Sequence, residues 1–558
     1  MAEGTIMNKL LTKTLYKETM NCERRAWLMA NDPKVIPARE PSAIEMEGIH
    51  INNIAAGLFD NVRYVDMSLT DLEKAAQTAA WIKEGNITIA EATFIAGRLS
   101  CRVDYLKVNE DGSLEINEVK GKGQAVRKER SKNKVKYWAE LLPEMLRDIG
   151  FQQVVLSRCG CNVSKLNLIH VDSEYVMGDK LEIDKLLKVE DVTEEVMSFV
   201  RDLIDDEIDY ALSVIDADIE PPCNPERITK GTEGCKECNL FGHCHGHLPA
   251  PNIFNISGAF PKRYECYENG IITFEDLNRA GLLKGRQEEQ LRVELSGTPV
   301  INEPEIKALM DKHVKYPIYF LDFESYSKAV PEYEGQWPFE QVPTQFSLDI
   351  IAHPAADIQH YEHLADENID PRREIAELLV SLIKPGDGCI VVYSKKFEHG
   401  RIKELAGMFP DLARELEAML EMIVDFEVPF QKRYYYLKEM EGLSTIKLVL
   451  PALFPDDPDI DYKSLPGVKK GDQASDMFIK LREMDPVERA KQRAYMLRYC
   501  NLDTLAMIKL YEALLKAIND PQHIAISEAI ERHVSKLKDR YAEEDKALDA
   551  LEKDLSVA

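Results

Sequence analysis

The sequence predicts an α/β protein of two domains joined by a small helical connector. Three observations carry that prediction. Between 88 and 120 the pattern is of strands: ITIAEATFIAG, then RLSCRVDYLKV, then SLEINEVK after an NEDG turn. An Asp-Gly turn between alternating runs is a strong hairpin signal. A second α/β pattern begins at 315 with YPIYFLDFES, a nearly continuous apolar run ending in acids, as expected of a buried central strand. Finally, 558 residues are too many for one ordinary core, since domains usually hold about 100–200.

Taken in order, residues 1–45 read as a helix and a proline-rich loop, and 46–83 as helical. After the strands of 88–120, residues 131–151 read as helix, 153–171 as strands and 181–217 as helix again. The stretch ADIEPPCNPERITKGTEG is loop-like and leads into a cysteine cluster, closing a first domain at 1–250. Residues 251–312 form the connector, and 313–518 the second domain. In the latter, QFSLDIIAH and CIVVYSKKFE read as strands, followed by helices, the last starting near Asp485-Pro486. Residues 519–558 read as one charged helix, with Ile530, Val534, Leu537, Tyr541, Leu548 and Leu551 in a heptad broken by Glu544. Such a stripe suits a dimer or a partner protein.

Net charge is −27, which argues against a broad nucleic-acid coat. A local basic stripe is nevertheless present at Lys120, Lys122, Arg127, Lys128, Arg130, Lys132, Lys134 and Lys136, and can bind phosphate. No apolar run approaches the ~18 residues that cross a bilayer. The N-terminal segment has no apolar core of a secretory signal, so a cytoplasmic location is expected. There is no GxxxxGK(S/T) loop, hence no ATP-driven motor is expected.

The first constellation lies on the hairpin. Asp104 stands on one strand and Glu118-Val119-Lys120 on the next, so Glu118 and Lys120 share a face. Two carboxylates meeting across a hairpin can hold Mg²⁺, and a lysine beside them can stabilise developing charge. Upstream stand His50, in a helical stretch, and Glu91; downstream are Asp148 and Gln152 in RDIGFQQ. The set resembles the RecB-like branch of the PD-(D/E)XK nucleases. That resemblance implies a restriction-endonuclease-like fold, metal ligands at His50, Asp104, Glu118 and Glu91, catalytic roles for Lys120 and Gln152, and DNA contacts at Lys122, Lys128, Arg130 and Lys132. Leu156 stands where the family has tyrosine.

Of the 11 cysteines, Cys223, Cys235, Cys238 and Cys244 crowd one stretch, which suggests metal or cluster ligands. Cys235-x₂-Cys238-x₅-Cys244 needs a fourth ligand. Cys223 would make a zinc knuckle; Cys22 is the distant candidate. The arrangement of Cys22, Cys235, Cys238 and Cys244 resembles RecB-like nucleases of the AddB and CRISPR-adaptation types, which implies a 4Fe–4S cluster stapling the domain.

A third constellation joins Asp322 and Glu324 of LDFES, Glu398 of VVYSKKFE, and Tyr499 and Asp503 of YCNLD. Four acids from distant segments suit two Mg²⁺ or Mn²⁺ ions. The set is similar to the DnaQ-like exonucleases, which implies an RNase H-like fold, DEDDy chemistry with a water-orienting Tyr499, and 3′→5′ digestion. Glu398 and Ser394 stand where that superfamily has Asp and Asn. YPIYFLDFES, PTQFS at 343–347 and LSTIKLVLP at 443–451 also resemble an uncharacterised bacterial family pairing both modules. The expectation is a metal-dependent nuclease acting on DNA ends in repair or antiphage defence; the rivals are an RNA-processing exonuclease and a nucleic-acid-binding scaffold with one inert domain.

Overall fold

The computed structural model describes residues 9–39, 41–121, 134–229, 234–235, 238–468 and 471–557. The architecture is mixed α/β. The chain divides into two compact units, Met1–His247 with Lys328–Glu340, and Leu248–Ser327 with Gln341–Ala558.

In the first unit the strands are β1 (Leu11–Thr12), β2 (Val62–Tyr64), β3 (Ile87–Ala96), β4 (Leu99–Val108), β5 (Leu114–Lys120), β6 (Val163–Val171) and β7 (Leu187–Asp191). They form one sheet in the order β2-β3-β4-β5-β6-β7, with β1 paired to β4. β3, β4 and β5 are the antiparallel meander read from the sequence, and β6 runs parallel to β5. The turn before β5 uses Gly112 at φ +79°, a conformation glycine adopts without steric cost. The helices that position the site are α1 (Lys13–Asn21), α2 (Glu23–Asn31), α3 (Ala43–Ala55), α4 (Asp71–Ile82) and α5 (Lys134–Arg158). Capping boxes at Ser42/Glu45 and Thr70/Glu73 start α3 and α4.

Three local readings are corrected. Residues 46–83 are not one helical stretch, because β2 separates α3 from α4. The strand expected from 153 begins only at Val163, since α5 runs on to Arg158. Val154, Val155 and Leu156 form a short apolar run, which periodicity cannot assign; as a helix face they pack with Ile89, Leu106 and Ile116 in one core. β7 likewise interrupts the helix expected over 181–217.

The segment Lys328–Glu340 is fastened within the first unit. Ala329 N–H donates to Glu47 Oε1 at 2.7 Å, Met177 N–H to Gln336 O at 2.9 Å and Gly335 N–H to Met177 O at 2.8 Å. Ala329 and Val330 share a buried cluster with Ile51, Tyr105 and Ile169.

In the second unit the strands are β8 (Val300–Ile301), β9 (Ile318–Ser327), β10 (Gln341–Ile351), β11 (Gln359–Leu364), β12 (Cys389–Val392), β13 (Ile423–Asp425) and β14 (Tyr435–Tyr436). The main sheet has the order β11-β10-β9-β12-β13. β11, β10 and β9 are antiparallel; β9, β12 and β13 are parallel. β8 and β14 form a separate antiparallel pair. β9 is buried on both faces, Leu321 and Phe323 in one cluster and Ile318 and Phe320 in another, which is why its sequence is almost continuously apolar. The strand read in CIVVYSKKFE ends at Val392, and a helix, Lys396–Met408, begins within it.

The connector and the C-terminal helix belong to this second unit. Val293, Ile306 and Met310 from the former, and Ile526, Ile530 and Val534 from the latter, bury themselves with Phe320 and Phe426. The apolar stripe of helix Gln522–Val557 therefore packs on its own chain, much of it against helix Pro486–Ala517. Glu544, the break in the heptad, pairs with Arg498 at 3.3 Å. No helix among the described residues is long and apolar enough to cross a membrane.

Candidate functional site

Alternation along β9 puts Asp322 and Glu324 on the face opposite Phe323, in register with Ser347 and Gln345. β12 pairs with β9 only as far as Val391–Phe320, so Asp322 lies just past the carboxyl end of the parallel pairing, where open α/β sheets place their ligands. Helix Pro486–Ala517 supplies the other half. It starts on the Asp485 side chain, which accepts from Val487 N–H at 3.0 Å and Glu488 N–H at 3.2 Å. Tyr499 and Asp503 follow on that helix, one turn apart and on one face.

Asp322, Glu324 and Asp503 bring ligand oxygens within 4.8 Å of one another. Glu398 enters from the first turn of helix Lys396–Met408. Asp425 fixes the start of that helix by accepting from Ser394 N–H at 3.1 Å and Lys395 N–H at 3.0 Å. Ser394 itself sits at φ +68°, a strained conformation for a residue other than glycine.

Burial and, for Asp322 and Glu398, neighbouring acids disfavour the charged carboxylates. Burial, with Asp503, Glu324 and Glu398, holds Asp322 well above the ordinary carboxylate range. Glu398 is pushed up to about 8 by burial, Asp425 and Asp503. Asp503 is raised by burial to about 6, although the Tyr462 hydroxyl and Lys447 pull it down. Tyr462 Oη donates to Asp503 Oδ1 at 2.5 Å, and its ring lies 6.0 Å from that of Tyr499. Burial and the same acids raise the Tyr499 hydroxyl, which stays protonated and able to donate. Glu398 Oε2 is buried without a hydrogen-bond partner among the described residues. Three crowded carboxylates and an orphaned fourth are the all-oxygen donor set that fits Mg²⁺ or Mn²⁺.

The first unit brings its carboxylates to lysines. Glu118 meets Lys13 at 3.1 Å, Lys120 at 2.6 Å and Gln152 Nε2 at 2.7 Å. Asp148 meets Lys13 at 3.1 Å, Lys17 at 3.0 Å and Lys120. Burial would raise Asp148, but Lys13, Lys120 and Lys17 outweigh it and hold the carboxyl far below its usual range. Asp104 accepts from Val119 N–H at 2.8 Å, and burial together with Glu118 pushes it up to about 7. Glu91 falls at the gap in the β3–β4 pairing between Ala90↔Tyr105 and Ala92↔Val103, at a non-glycine φ of +58°; it pairs with Arg102 at 3.3 Å. His50 is exposed on α3. Among the described residues, His50, Glu91, Asp104 and Glu118 do not close into a group with ligand atoms within 4.8 Å. Asp104 and Glu118 are neighbouring carboxylates, near enough for Glu118 to raise Asp104, and offer the oxygen donors a hard cation takes. Lys122, Lys128, Arg130 and Lys132 lie outside the described residues.

The cysteines converge. Cys22 stands between α1 and α2 in extended backbone. Its thiol is raised by burial and by Glu18 and Cys238, against Arg227. Cys235 is pushed up to about 11 by burial, with Cys22, Cys238 and Cys223 adding. Cys244 is pushed up to about 12 by burial, Cys223 and Cys22. Arg24 donates to Cys223 Sγ, and the Cys223 thiol donates to Cys244 O at 3.3 Å. All are free thiols; among the described residues no three of them bring sulfur atoms within 4.8 Å of one another, but Cys22 and Cys223 both lie near enough to Cys235 and Cys244 to raise them, and thiols from both ends of the unit's sequence are the donor type a thiolate-bound metal group takes.

Several residues of these sites carry no motif in the sequence: Lys13, Lys17, Tyr462 and Asp425. Lys13 reaches Glu118 across 105 positions and Tyr462 reaches Asp503 across 41, and neither segment shows a pattern that would announce it.

Among known proteins, residues 319–445 match the family described as Domain of unknown function (DUF2779). The chain is 31% identical over 153 residues to the Uncharacterized protein UU173 of Ureaplasma parvum, covering 26% of this chain and 22% of that protein. It is 29% identical over 219 residues to the Uncharacterized protein MG366 homolog of Mycoplasma pneumoniae, covering 37% and 33%. The chain thus spans a fifth to a third of the length of these relatives, and the matched family takes in β9, both of its neighbours in the sheet and Glu398.

Proposed function

We propose that this chain is a metal-dependent nuclease hydrolysing DNA phosphodiesters at two sites, a RecB-like PD-(D/E)XK centre in the first unit and an RNase H-like DEDDy exonuclease centre in the second. The observation that carries it is the convergence of Asp322, Glu324 and Asp503 within 4.8 Å, with Glu398 beside them. These four acids would hold one or two Mg²⁺ or Mn²⁺ ions, which supply Lewis-acid polarisation of a phosphoryl oxygen and a more acidic bound water. The chain's own residues do the rest. Tyr462 orients Asp503, Asp425 holds the helix that presents Glu398, and the protonated Tyr499 hydroxyl would orient an attacking water.

In the first unit, Lys120 stands between Glu118 and Asp148, where an ammonium can stabilise charge developing on a phosphate. Gln152 orients Glu118. The cysteines would hold a 4Fe–4S cluster through Cys22, Cys235, Cys238 and Cys244. The substrate would be single-stranded DNA or DNA ends in the cytoplasm. Full-length protein incubated with end-labelled single- and double-stranded DNA and RNA, with Mg²⁺ or Mn²⁺, tests this reading. Divalent-dependent shortening of DNA supports it; cleavage of RNA alone moves the substrate to RNA; no cleavage of any strand sinks it.

A further inference from the structure

The second unit holds another group of metal-ligating side chains, away from β9. Asp349, His360 and His533 bring one ligand atom each within 4.8 Å of the others. Asp349 on β10 and His360 on β11 are register partners, and His533 comes from helix Gln522–Val557. Asp349 is fully buried and His533 is 4% exposed. The pattern of β10 explains how an acid came to be there. Phe346, Leu348 and Ile350 face an apolar cluster, whereas Gln345, Ser347 and Asp349 face helix Pro486–Ala517, with Gln345 Nε2 donating to Met496 O at 2.8 Å and Ser347 sharing a 2.9 Å hydrogen bond with Thr504.

Most polar atoms of this group are satisfied. His360 Nδ1 lies 2.9 Å from Asp349 Oδ1, and its Nε2 lies 3.0 Å from Glu362 Oε2. The Thr504 hydroxyl donates to Asp349 Oδ2 at 2.7 Å. The exception is His533 Nε2, buried with no hydrogen-bond partner among the described residues. It points at Asp349 Oδ1 from 3.6 Å, too far for a hydrogen bond. That separation suits two donors across one tetrahedral ion, since ligand distances of about 2.0–2.1 Å put neighbouring donors roughly 3.4 Å apart; the shorter 2.9 Å between His360 Nδ1 and Asp349 Oδ1 is a hydrogen bond that a bound ion would replace.

We propose that Asp349 Oδ1, His360 Nδ1 and His533 Nε2 form a zinc site that ties the C-terminal helix to the β10–β11 hairpin. Two imidazoles and a carboxylate favour zinc over Mg²⁺ or Ca²⁺, which take oxygen donors. The surrounding contacts are those a bound ion needs. With Nδ1 on the metal, His360 donates Nε2–H to Glu362, and Thr504 holds the second oxygen of Asp349; such partners orient metal ligands. Two carboxylates, Asp349 and Glu362, offset the charge of a dication, and Arg540 Nη2, 3.1 Å from Glu362, neighbours the group.

The test uses full-length protein stripped with chelator and titrated with Zn²⁺, counting bound equivalents by elemental analysis. The parent is expected to bind one more equivalent than His533→Gln or His360→Gln, and Zn²⁺ should raise the parent's Tm more than theirs. With Co²⁺, the missing equivalent should lack sulfur-to-metal charge transfer, which separates it from the cysteines. Folded His533→Gln that keeps the parent's full zinc content overturns the proposal. If both variants fail to fold, X-ray absorption of zinc-loaded protein decides. Imidazole scattering that survives in His50→Gln supports the site; zinc bound only by sulfur or carboxylate overturns it.

Discussion

The two units treat buried carboxylates in opposite ways. In the first, Glu118 and Asp148 are clamped by Lys13, Lys17 and Lys120, so their charge is balanced from within the chain. In the second, Asp322, Glu398 and Asp503 form no ion pair among the described residues; all three are raised by burial, and Asp322 and Glu398 also by neighbouring acids. Buried charges are costly unless paired or bound to metal. Similar carboxylates thus carry two different electrostatic signatures: the first set is balanced by lysines of the chain, and the second has the uncompensated oxygen donors that a divalent cation would fit.

The sharpest way to break this contrast is Asp322→Ala in the full-length chain. It should lower divalent-dependent nucleotide release from 3′-labelled DNA by about 10³-fold, as expected when several kcal/mol of metal-borne charge stabilisation is lost. Activity within threefold of the parent would remove the second unit from the chemistry. Next comes Lys120→Ala, measured with Asp322→Ala already in place. The remaining DNA cleavage should fall by ~10²-fold; cleavage unchanged in both Asp104→Ala and Lys120→Ala would leave the lysine clamp a purely structural device. Cys22→Ser tests the staple of the first unit. Anaerobically purified protein should lose iron and sulfide and melt at a lower temperature, because metal binding and folding are coupled. A variant retaining all its iron would transfer the fourth ligand to Cys223.

The smallest expected effect is on pH. Burial pushes Asp503 up to about 6 and, with Asp425 and Asp503, Glu398 up to about 8 in the folded chain, above ordinary values of roughly 3.9 and 4.3. A raised carboxyl pKa means that the folded state holds the extra proton. Their contribution to metal-free stability is therefore present at low pH and lost as pH rises through about 6 and then about 8. Cation binding needs the deprotonated acids, so the Mn²⁺-induced rise in Tm should grow by a few degrees across that window. An increment equal at pH about 5 and about 8.5 would contradict the coupling.

Much of this was legible in the sequence, and the reason is local. Alternation on a hairpin placed Asp104 and Glu118 on neighbouring strands, the run YPIYFLDFES marked a central strand ending in Asp322 and Glu324, and a four-residue interval put Tyr499 beside Asp503. Lys13, Lys17 and Tyr462 were not legible, because what makes them part of a site is tertiary. They come from segments with no periodic or spacing signal and meet their carboxylates only once the chain has folded. The helix through Leu156 was missed for a related reason, a three-residue apolar run being equally consistent with strand and helix. Asp349 carries no signal of its own in the sequence, because an acid inside a strand reads as an exposed position until helix Pro486–Ala517 covers it.

One feature of the chain path bears on how the protein can be taken apart. The strand that bears Asp322 and Glu324 leads, four residues past the latter, into Lys328–Glu340, which belongs to the first unit. The backbone therefore passes between the units at 247–248, 327–328 and 340–341. A single cut near 248 would leave Lys328–Glu340, a part of the first unit, on the fragment that carries the second, and denaturing gels after limited proteolysis would show fragments that correspond to neither unit. An excised 313–518 piece would carry a stretch of the first unit without its partners Glu47 and Met177, and would lack the C-terminal helix that completes its own core. Inactivity of such a piece would therefore say more about severed connectivity than about Asp322.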